Sequence, residues 1–314
     1  MCLKENCHSL HIDYKDSMTF RSALKKTSLG QKDLDVITNR IAAYQYAYDE
    51  NAGHPALVEV YNIILPETKT LNRADVRETA IPLGGVITNL KTYSPTTPER
   101  IMPALYDMVK FINMDNHVDI LIKAALAHYQ FEMIHPFDKY NGLVGRILSQ
   151  MILLNANYKA VSYMCLSEYL DINKETYFDK LSFTQRGNGF IPWVKFFVQG
   201  ICIGVDQAII RIRRYTDTIS EDEKKMTALA LPSKYIKPVY NYFKQYLISE
   251  IMPISYQLGI SFNTAAKVVK FLEQAKILTT KQKQSRHKIY YHRGIETFYT
   301  WESNYKCRQF STKY

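Results

Sequence analysis

The feature that most constrains the fold of this chain is an apolar, helix-like run that breaks once near its middle. Residues 130–154 read QFEMIHPFDKYNGLVGRILSQMILL, and apolar residues recur with helical spacing on both sides of HPFDKYNG. This pattern predicts one helix that ends near His135 and a second that begins near Asn141 and Gly142. The break places a histidine at a helix end, followed by a short turn that leads into a new helix N-terminus.

The turn has the composition of an anion-binding site. Backbone N–H groups from Asn141 onward would point into the gap, where the positive end of the helix dipole favours negative charge. Gly142 and Gly145 lack a Cβ, so a phosphate could approach the backbone closely. Arg146 could contact the same anion, and His135 could remove a hydroxyl proton as a general base. A phosphate cradle is therefore one interpretation, and a histidine that serves only as a helix cap is the other.

Helical periodicity dominates the rest of the central region, and the N-terminal part is more varied. A Thr-, Pro- and Gly-rich segment at 66–100 contains a β-like stretch around 86–93, which favours a hairpin or flap. The polar segment at 217–233 contains a proline near its end and is the best candidate for a linker. The predicted helices are 38–51, 54–65, 99–113, 118–133, 142–155, 166–185 and 190–215.

The charge of the 314-residue chain is concentrated at its C-terminal end. The net charge is +10, yet residues 225–314 hold 15 Lys/Arg against 4 Asp/Glu, a local charge of +11. This asymmetry indicates two functional units. No run approaches the roughly 18 apolar residues of a membrane-spanning helix. The five scattered cysteines favour free thiols and a reducing compartment, so we expect a soluble, cytoplasmic protein with no membrane partner.

The C-terminal third predicts a helix-turn-helix followed by two strands around a basic tip, which is typical of a winged-helix domain. Residues 258–261 form the turn, and Ser261 caps the next helix. Such a domain binds DNA through an exposed helix face and a basic wing, or else contacts a protein. The candidate DNA-binding residues are Asn263, Lys267, Lys270, Arg286 and Lys288.

The central stretch also resembles the signature of Fic-domain proteins, His-Pro-Phe-x-(Asp/Glu)-Gly-Asn-(Gly/Lys)-Arg-x-x-Arg. His135, Asn141, Gly142 and Arg146 match it in register, together with the Pro-Phe pair after the histidine. The segments RETAIPLGGVITNLKTYSPTTPERI, LIKAALAHYQFEMIHPF and GNGFIPWVKFFVQGI are similar to the family's arginine and flap, its helix before the histidine, and a later helix. The resemblance extends over roughly residues 20–215.

The resemblance implies a mainly α-helical Fic-type bundle with a small β-hairpin flap, and transfer of AMP from ATP to a protein hydroxyl. His135 would be the catalytic base, and Asn141, Gly142, Gly145 and Arg146 would bind the nucleotide phosphates. The flap, at Ile87, Thr88, Asn89 and Leu90, would hold the target protein as an added strand.

Three positions depart from the family's signature. Lys139 stands where the acidic, Mg²⁺-binding residue is expected, with the acid displaced to Asp138, while Tyr140 replaces a glycine and Leu143 the first arginine. The resemblance implies ATP as the cofactor. Mg²⁺ is a doubtful one, because it requires carboxylate oxygens and Lys139 has none. One interpretation is that the site has decayed. A second is that the ammonium group of Lys139 replaces the metal's charge and that Asp138 orients Lys139. A third is that Asp138 itself holds a metal.

The inhibitory helix of many family members also has a degenerate counterpart here. In ALKKTSLGQKD the position of the inhibitory glutamate is Gln31, whose amide lacks a carboxylate's charge. We therefore predict an N-terminal helical region at 1–75, a Fic core at 76–216, a linker at 217–233 and a winged-helix domain at 234–314. The two functional hypotheses are a protein adenylyltransferase, impaired or not, and a catalytically weak regulator that binds DNA or a protein partner. A homodimer is a further expectation.

Overall fold

The computed structural model describes residues 76–80, 93–115, 117–228, 234–280 and 288–294. These residues are mainly helical, as predicted, and they divide into two compact units, one ending at Asp206 and the other beginning at Gln207. The helices are α1 (Pro98–Asn113), α2 (Ile120–Ile134), α3 (Asn141–Asn155), α4 (Leu166–Ile172), α5 (Lys174–Gln185), α6 (Ile191–Ala228), α7 (Ile236–Tyr246), α8 (Ile251–Leu258) and α9 (Phe262–Gln274), with a 3₁₀ helix at Lys159–Tyr163. The strands are β1 (Ile248–Ser249), β2 (Leu278–Thr279) and β3 (Tyr290–His292).

The first unit is a helical bundle built around α2 and α3. Both helices are apolar on nearly every side, because neighbouring helices cover them. The indole N–H of Trp193 on α6 donates a 2.7 Å hydrogen bond to the carbonyl of Ala125 on α2, and both residues are fully buried. The α2–α3 pair is therefore held in the middle of the core, and its connecting turn has a fixed position.

One helix and one cysteine in this unit differ from the sequence-based expectations. The helix predicted at 166–185 is divided at Asn173, whose N–H and side-chain amide both donate to the carbonyl of Tyr169 and so end α4. In addition, Cys165 is disulfide-bonded, which corrects the free thiol predicted for it, whereas Cys202 is free. A disulfide depends on two cysteines being close in space, which their spacing in the sequence does not reveal.

Helix α6 continues past the end predicted for it. Residues 217–228 were predicted to begin a linker but form the last three turns of α6, and 229–233 lie outside the described residues. Asp222, in these turns, is fully buried and accepts a 2.9 Å hydrogen bond from Nε of Arg293, so the polar sequence here contacts the second unit's core.

By length and composition alone, α6 is the one helix within the described ranges that could cross a membrane. Core helices of globular proteins meet the same criterion, and Trp193, Phe197 and Ile201 of α6 are buried in the core of the first unit. The absence of a membrane partner stays a prediction.

The second unit packs three helices against a small antiparallel sheet with the strand order β1-β3-β2. Leu278 pairs with His292 and Ile248 with Tyr291, so the two strands predicted around the basic tip are present and paired. Helix α8 ends at Gly259, and Ser261 caps α9 by accepting a 3.1 Å hydrogen bond from the N–H of Thr264, as predicted. The apolar face of α9 is buried, comprising Ala265, Val268, Val269 and Leu272.

Candidate functional site

The site begins where α2 ends. His135 is the C-cap of α2 and adopts a left-handed backbone conformation, with φ 48° and ψ 60°. This conformation is unfavourable for a residue with a Cβ and persists only where neighbouring groups fix it. It turns the chain sharply, and the His135 side chain is 14% exposed while its Nδ1 is buried.

The guanidinium group of Arg77 fixes this turn. Its Nε donates to the carbonyl of His135 at 2.7 Å, and its Nη2 donates to the carbonyls of Ile134 (3.2 Å) and Thr96. The backbone N–H of Arg77 also donates to the carbonyl of Pro136 at 2.9 Å. Arg77 therefore satisfies the carbonyl groups that the end of α2 leaves unpaired.

Asn141 closes the turn from the other side. Its side chain is buried and makes two hydrogen bonds with the backbone of Phe137: Oδ1 accepts from the N–H at 3.0 Å, and Nδ2 donates to the carbonyl at 2.6 Å. Because the amide is occupied in this way, a phosphate could contact Asn141 only through its backbone. Tyr140, just before it, also has a left-handed conformation, with φ 64°. This is the position where the family's signature has glycine, which adopts that conformation without strain.

The N-terminus of α3 offers donors to an anion. The N–H groups of Leu143 and Val144 both bond to the carbonyl of Tyr140, whereas those of Asn141 and Gly142 have no acceptor within the described part of the chain. One guanidinium nitrogen of Arg146 lies 3.2 Å from where a Cβ on Gly142 would stand, so the missing Cβ leaves room for it. The structure thus brings together Gly142, Arg146 and the first turn of α3, as predicted.

Gly145 has a different position from the one we predicted. It is buried in the fifth position of α3, so its N–H belongs to the helix's own hydrogen bonding rather than to a phosphate cradle. A Cβ on Gly145 would lie 3.0 Å from Oε1 of Glu132, 3.1 Å from the ring of Phe131 and 3.3 Å from that of His128. Gly145 therefore lets α3 approach α2 closely.

A buried carboxylate, Glu132, lies between these two helices. Its Oε2 is 3.7 Å from Nδ1 of His135 and accepts a 3.3 Å hydrogen bond from the hydroxyl of Tyr93. Its Oε1 is 3.9 Å from Nε2 of His128. Burial would raise the pKa of Glu132, but the attraction of His135, His128 and Arg146 outweighs burial and holds that pKa below its ordinary value. Glu132 is therefore a carboxylate anion inside the bundle.

The groups around Glu132 respond to its charge and to burial. Burial is the main cause that lowers the pKa of His128 from its ordinary value. His128 contacts the hydroxyls of Tyr177 and Ser149 at 3.1 and 3.3 Å, and its ring packs against Phe197 with 4.6 Å between centroids. Burial, together with the charge of Glu132, also raises the pKa of Tyr93 and keeps it a hydrogen-bond donor.

The predicted metal position does not fit a divalent cation. Asp138 and Lys139 are both exposed, and they are the acidic and basic neighbours that the sequence indicated. Among the described residues, no group of three or more His, Cys, Asp or Glu side chains is placed to hold a metal ion. The ammonium group of Lys139 stands next to the one carboxylate, and its positive charge disfavours a cation at this position.

The remaining predicted site residues lie outside the described residues or in the second unit. The flap residues Ile87–Leu90, the inhibitory position Gln31 and the wing residue Arg286 lie outside the described residues. Asn263, Lys267 and Lys270 are exposed on α9 of the second unit, and Lys288 is partly exposed just before β3.

Sequence reasoning missed the contacts of both Glu132 and Arg77. Glu132 carried a signal: a charged residue in a strongly apolar helix, one turn before His135, is costly to bury unless other groups compensate for its charge. Arg77 is 58 residues away from His135 in the sequence, and nothing in the spacing indicated the contact.

Two known proteins are similar to part of this chain. A protein adenylyltransferase of Caenorhabditis elegans, fic-1, is 26% identical over 107 residues, which are 33% of this chain and 20% of that protein. A probable protein adenylyltransferase of Aquifex aeolicus is 30% identical over 83 residues, 26% of each chain. The matches thus span about a fifth to a quarter of these relatives' lengths.

The fold has a similar solved structure. A Fic family protein from Desulfovibrio desulfuricans superposes with a TM-score of 0.55 at 15% identity, over 93% of this chain and 85% of that one. Residues 54–153 match the Fic/DOC family, and this range contains α2, the turn and most of α3. The chain therefore carries a Fic/DOC family domain at residues 54–153, with a Fic protein among its structural neighbours.

Proposed function

We propose that this protein is a protein adenylyltransferase, which transfers AMP from ATP to a Ser, Thr or Tyr hydroxyl of a target protein. The observation that carries the proposal is the short turn from His135, at the end of α2, to the start of α3, where the N–H groups of Asn141 and Gly142 find no acceptor in the described part of the chain and Arg146 lies beside Gly142. The names of the C. elegans and A. aeolicus relatives support the same reaction.

The proposed reaction assigns one role to each group. His135 takes the proton of the target hydroxyl, whose oxygen forms a bond to the α-phosphorus of ATP. The bond from that phosphorus to the bridging oxygen breaks, and its electron pair leaves with pyrophosphate. The N–H groups at the start of α3 and the guanidinium group of Arg146 stabilise the phosphate charge. The segment Ile87–Leu90 aligns the target as an added strand.

We further propose that ATP binds without Mg²⁺, because Lys139 supplies positive charge where a metal ligand is expected. The exposed ammonium group has the reach and the charge to contact the phosphates directly.

Calorimetric titration of ATP into the full chain, in Mg²⁺ and then in EDTA, tests binding. We expect binding in both buffers, and weaker binding for Lys139→Ala. Incubation with ATP labelled at the α-phosphate then tests transfer: the label should appear on protein hydroxyls with release of pyrophosphate. Since a general base contributes about 10²–10⁴-fold, His135→Ala should lose this labelling. Absence of ATP binding in both buffers contradicts the proposal.

The second candidate function is DNA binding by the winged-helix domain predicted at 234–314. The observation that favours it is the exposed row Asn263, Lys267 and Lys270 on α9, opposite the buried apolar face. A protein that neutralises DNA phosphates binds less tightly as salt increases.

A mobility shift with duplex DNA tests this candidate. We expect the shift to disappear at moderate salt, and Lys267→Glu to weaken it. Lys237→Glu makes the same charge change at an exposed position of α7 and should have a smaller effect. Equal effects of the two substitutions would indicate a general response to net charge and would contradict a specific role for α9.

A further inference from the structure

The buried carboxylate of Glu132 is the strongest feature that the proposed reaction leaves unexplained. It is 3% exposed, and burying a charge costs several kcal/mol unless other groups compensate for it. It precedes the C-cap His135 by three residues, and its Oε2 faces Nδ1 of that histidine across the last turn of α2.

Glu132 and two of its neighbours each have one buried polar atom without a hydrogen-bond partner within the described residues. These atoms are Oε1 of Glu132, Nδ1 of His135 and Nε of Arg146. Oε1 of Glu132 and one guanidinium nitrogen of Arg146 lie 3.8 and 3.2 Å from the same point, the Cβ position of Gly142. Oε2 of Glu132 is 3.7 Å from the unpartnered Nδ1 of His135. This distance is about 0.5 Å beyond a good hydrogen bond, so a small rotation of either side chain would form one.

We propose that Glu132 is a positioning residue that keeps a proton on Nδ1 of His135 and so leaves Nε2 free to accept the proton of the target hydroxyl. The proposal rests on the transferase function proposed above. A base that a third group orients is a recurring arrangement in enzymes, and the orienting group also stabilises the positive charge that the base acquires.

The proton balance of this step is simple. The hydroxyl proton moves to Nε2, the hydroxyl oxygen bonds to phosphorus, and pyrophosphate leaves with the electron pair of the broken bond. His135 then carries both ring protons and a positive charge, which the Glu132 anion stabilises. Glu132 remains deprotonated throughout.

The other groups that face Glu132 do not compete for this role. His128 is on the same helix and is engaged by Ser149 of α3 and Tyr177 of α5. Tyr93, before α1, donates to the same Oε2 and leaves the carboxylate charged. Arg146 of α3 supplies the compensating positive charge. The Glu132 carboxylate is thus attracted by both His135 and Arg146.

The first test is the position of the proton on His135, measured by NMR with ¹⁵N-labelled histidine in the full chain at pH 8. This pH is well above the ordinary imidazole pKa of about 6.5. His135→Ala identifies the signals. We expect the wild-type ring to carry its proton on Nδ1, and this form to lose its predominance in Glu132→Gln. A wild-type ring protonated on Nε2, or no change in Glu132→Gln, overturns the proposal.

The second test is the kinetics of AMP transfer. We expect kcat of Glu132→Gln to fall by about 10²-fold, the lower end of a general base's contribution, with the KM for ATP little changed. Glu168→Gln, which removes another buried carboxylate of the same unit, on α4, is the matched control and should retain activity. An unchanged kcat in Glu132→Gln contradicts the proposal.

The two tests separate this inference from the proposed function. If the wild-type protein transfers no AMP, the transferase proposal fails, while the NMR signals of His135 still decide the role of Glu132. If Glu132→Gln does not fold, the proton position in the wild-type ring remains decisive, because it requires no variant of Glu132.

Discussion

The α2–α3 pair and the α8–α9 pair each consist of two helices joined by a short turn, but the turns contain different kinds of residue. Helix α2 ends at His135 with φ 48°, whereas α8 ends at Gly259 with φ 61°. Helix α3 begins after Tyr140, with φ 64° and no side-chain cap, whereas α9 begins after Ser261, which caps it. The α2–α3 turn therefore has His135 and Tyr140 at its two ends, where the α8–α9 turn has the glycine and serine that local backbone geometry prefers.

The two turns therefore differ in backbone strain, which the α2–α3 turn carries at residues of the proposed site. A left-handed residue with a Cβ costs roughly 1–2 kcal/mol, and the α2–α3 turn contains two of them. The surrounding contacts of Arg77 and Asn141 hold that turn in place. Such strained residues concentrate at functional sites, which agrees with the position of the proposed base.

Replacing Arg77 should have the largest effect on the first turn. Arg77→Ala would leave at least two buried carbonyl groups unpaired, and each costs about 1–3 kcal/mol. We expect a loss of about 3 kcal/mol or more in the free energy of unfolding, measured by urea denaturation. Arg100→Ala removes an exposed arginine from α1 of the same unit and should change stability by at most about 0.5 kcal/mol. Similar losses in both variants would contradict the role of Arg77.

Two glycine substitutions should sharpen the comparison next. Gly145→Ala should cost about 1–3 kcal/mol, because its Cβ would collide with side chains of α2. Gly259→Ala should cost roughly 1–2 kcal/mol for a different reason: nothing lies within 4 Å of its Cβ position, and only the left-handed backbone is unfavourable.

Asparagine distinguishes these two causes. Asn tolerates the left-handed conformation, so Gly259→Asn should recover part of the stability lost in Gly259→Ala. Gly145→Asn should be worse than Gly145→Ala, because the larger side chain adds to the collision. Thermal melting of the four variants measures both differences, and a recovery at position 145 would contradict the packing explanation.

Tyr140 tests the strain itself. Tyr140→Gly and Tyr140→Ala lose nearly the same side-chain contacts, but only glycine adopts φ 64° without strain. We expect the Gly variant to exceed the Ala variant in stability by about 1 kcal/mol, since relief of strain of roughly 1–2 kcal/mol is partly offset by the entropy of glycine in the unfolded chain. Equal stabilities in urea denaturation would show that the turn carries no strain at this residue.

The smallest expected effect concerns the second turn. Ser261→Ala removes the hydroxyl that accepts from the N–H of Thr264 and should cost about 1 kcal/mol. Ser261→Gly should cost only a few tenths of a kcal/mol, because glycine is itself a tolerated cap. Thermal melting compares the two, and an Ala variant as stable as the Gly variant would mean that the cap contributes little here.

The sequence alone predicted the elements of the site helix pair closely. Helices predicted at 99–113, 118–133 and 142–155 lie within two residues of α1, α2 and α3, because their apolar periodicity is strong. The break at His135 and the cap at Ser261 follow from neighbours in the sequence. These features depend on spacing and local backbone chemistry, which a sequence contains directly.

Tertiary structure decided the features that depend on contacts between distant segments. Arg77 contacts the carbonyl of His135, Gly145 is required by the side chains of α2, and Asp222 is buried by Arg293. The polar sequence around Asp222 was read as a linker because polarity usually indicates solvent. Spacing along a chain determines which residues share a helix face, whereas only packing determines what that face meets. Glu132 is the clearest case, because the fold places His135 and Arg146 where they lower the pKa of this buried carboxylate.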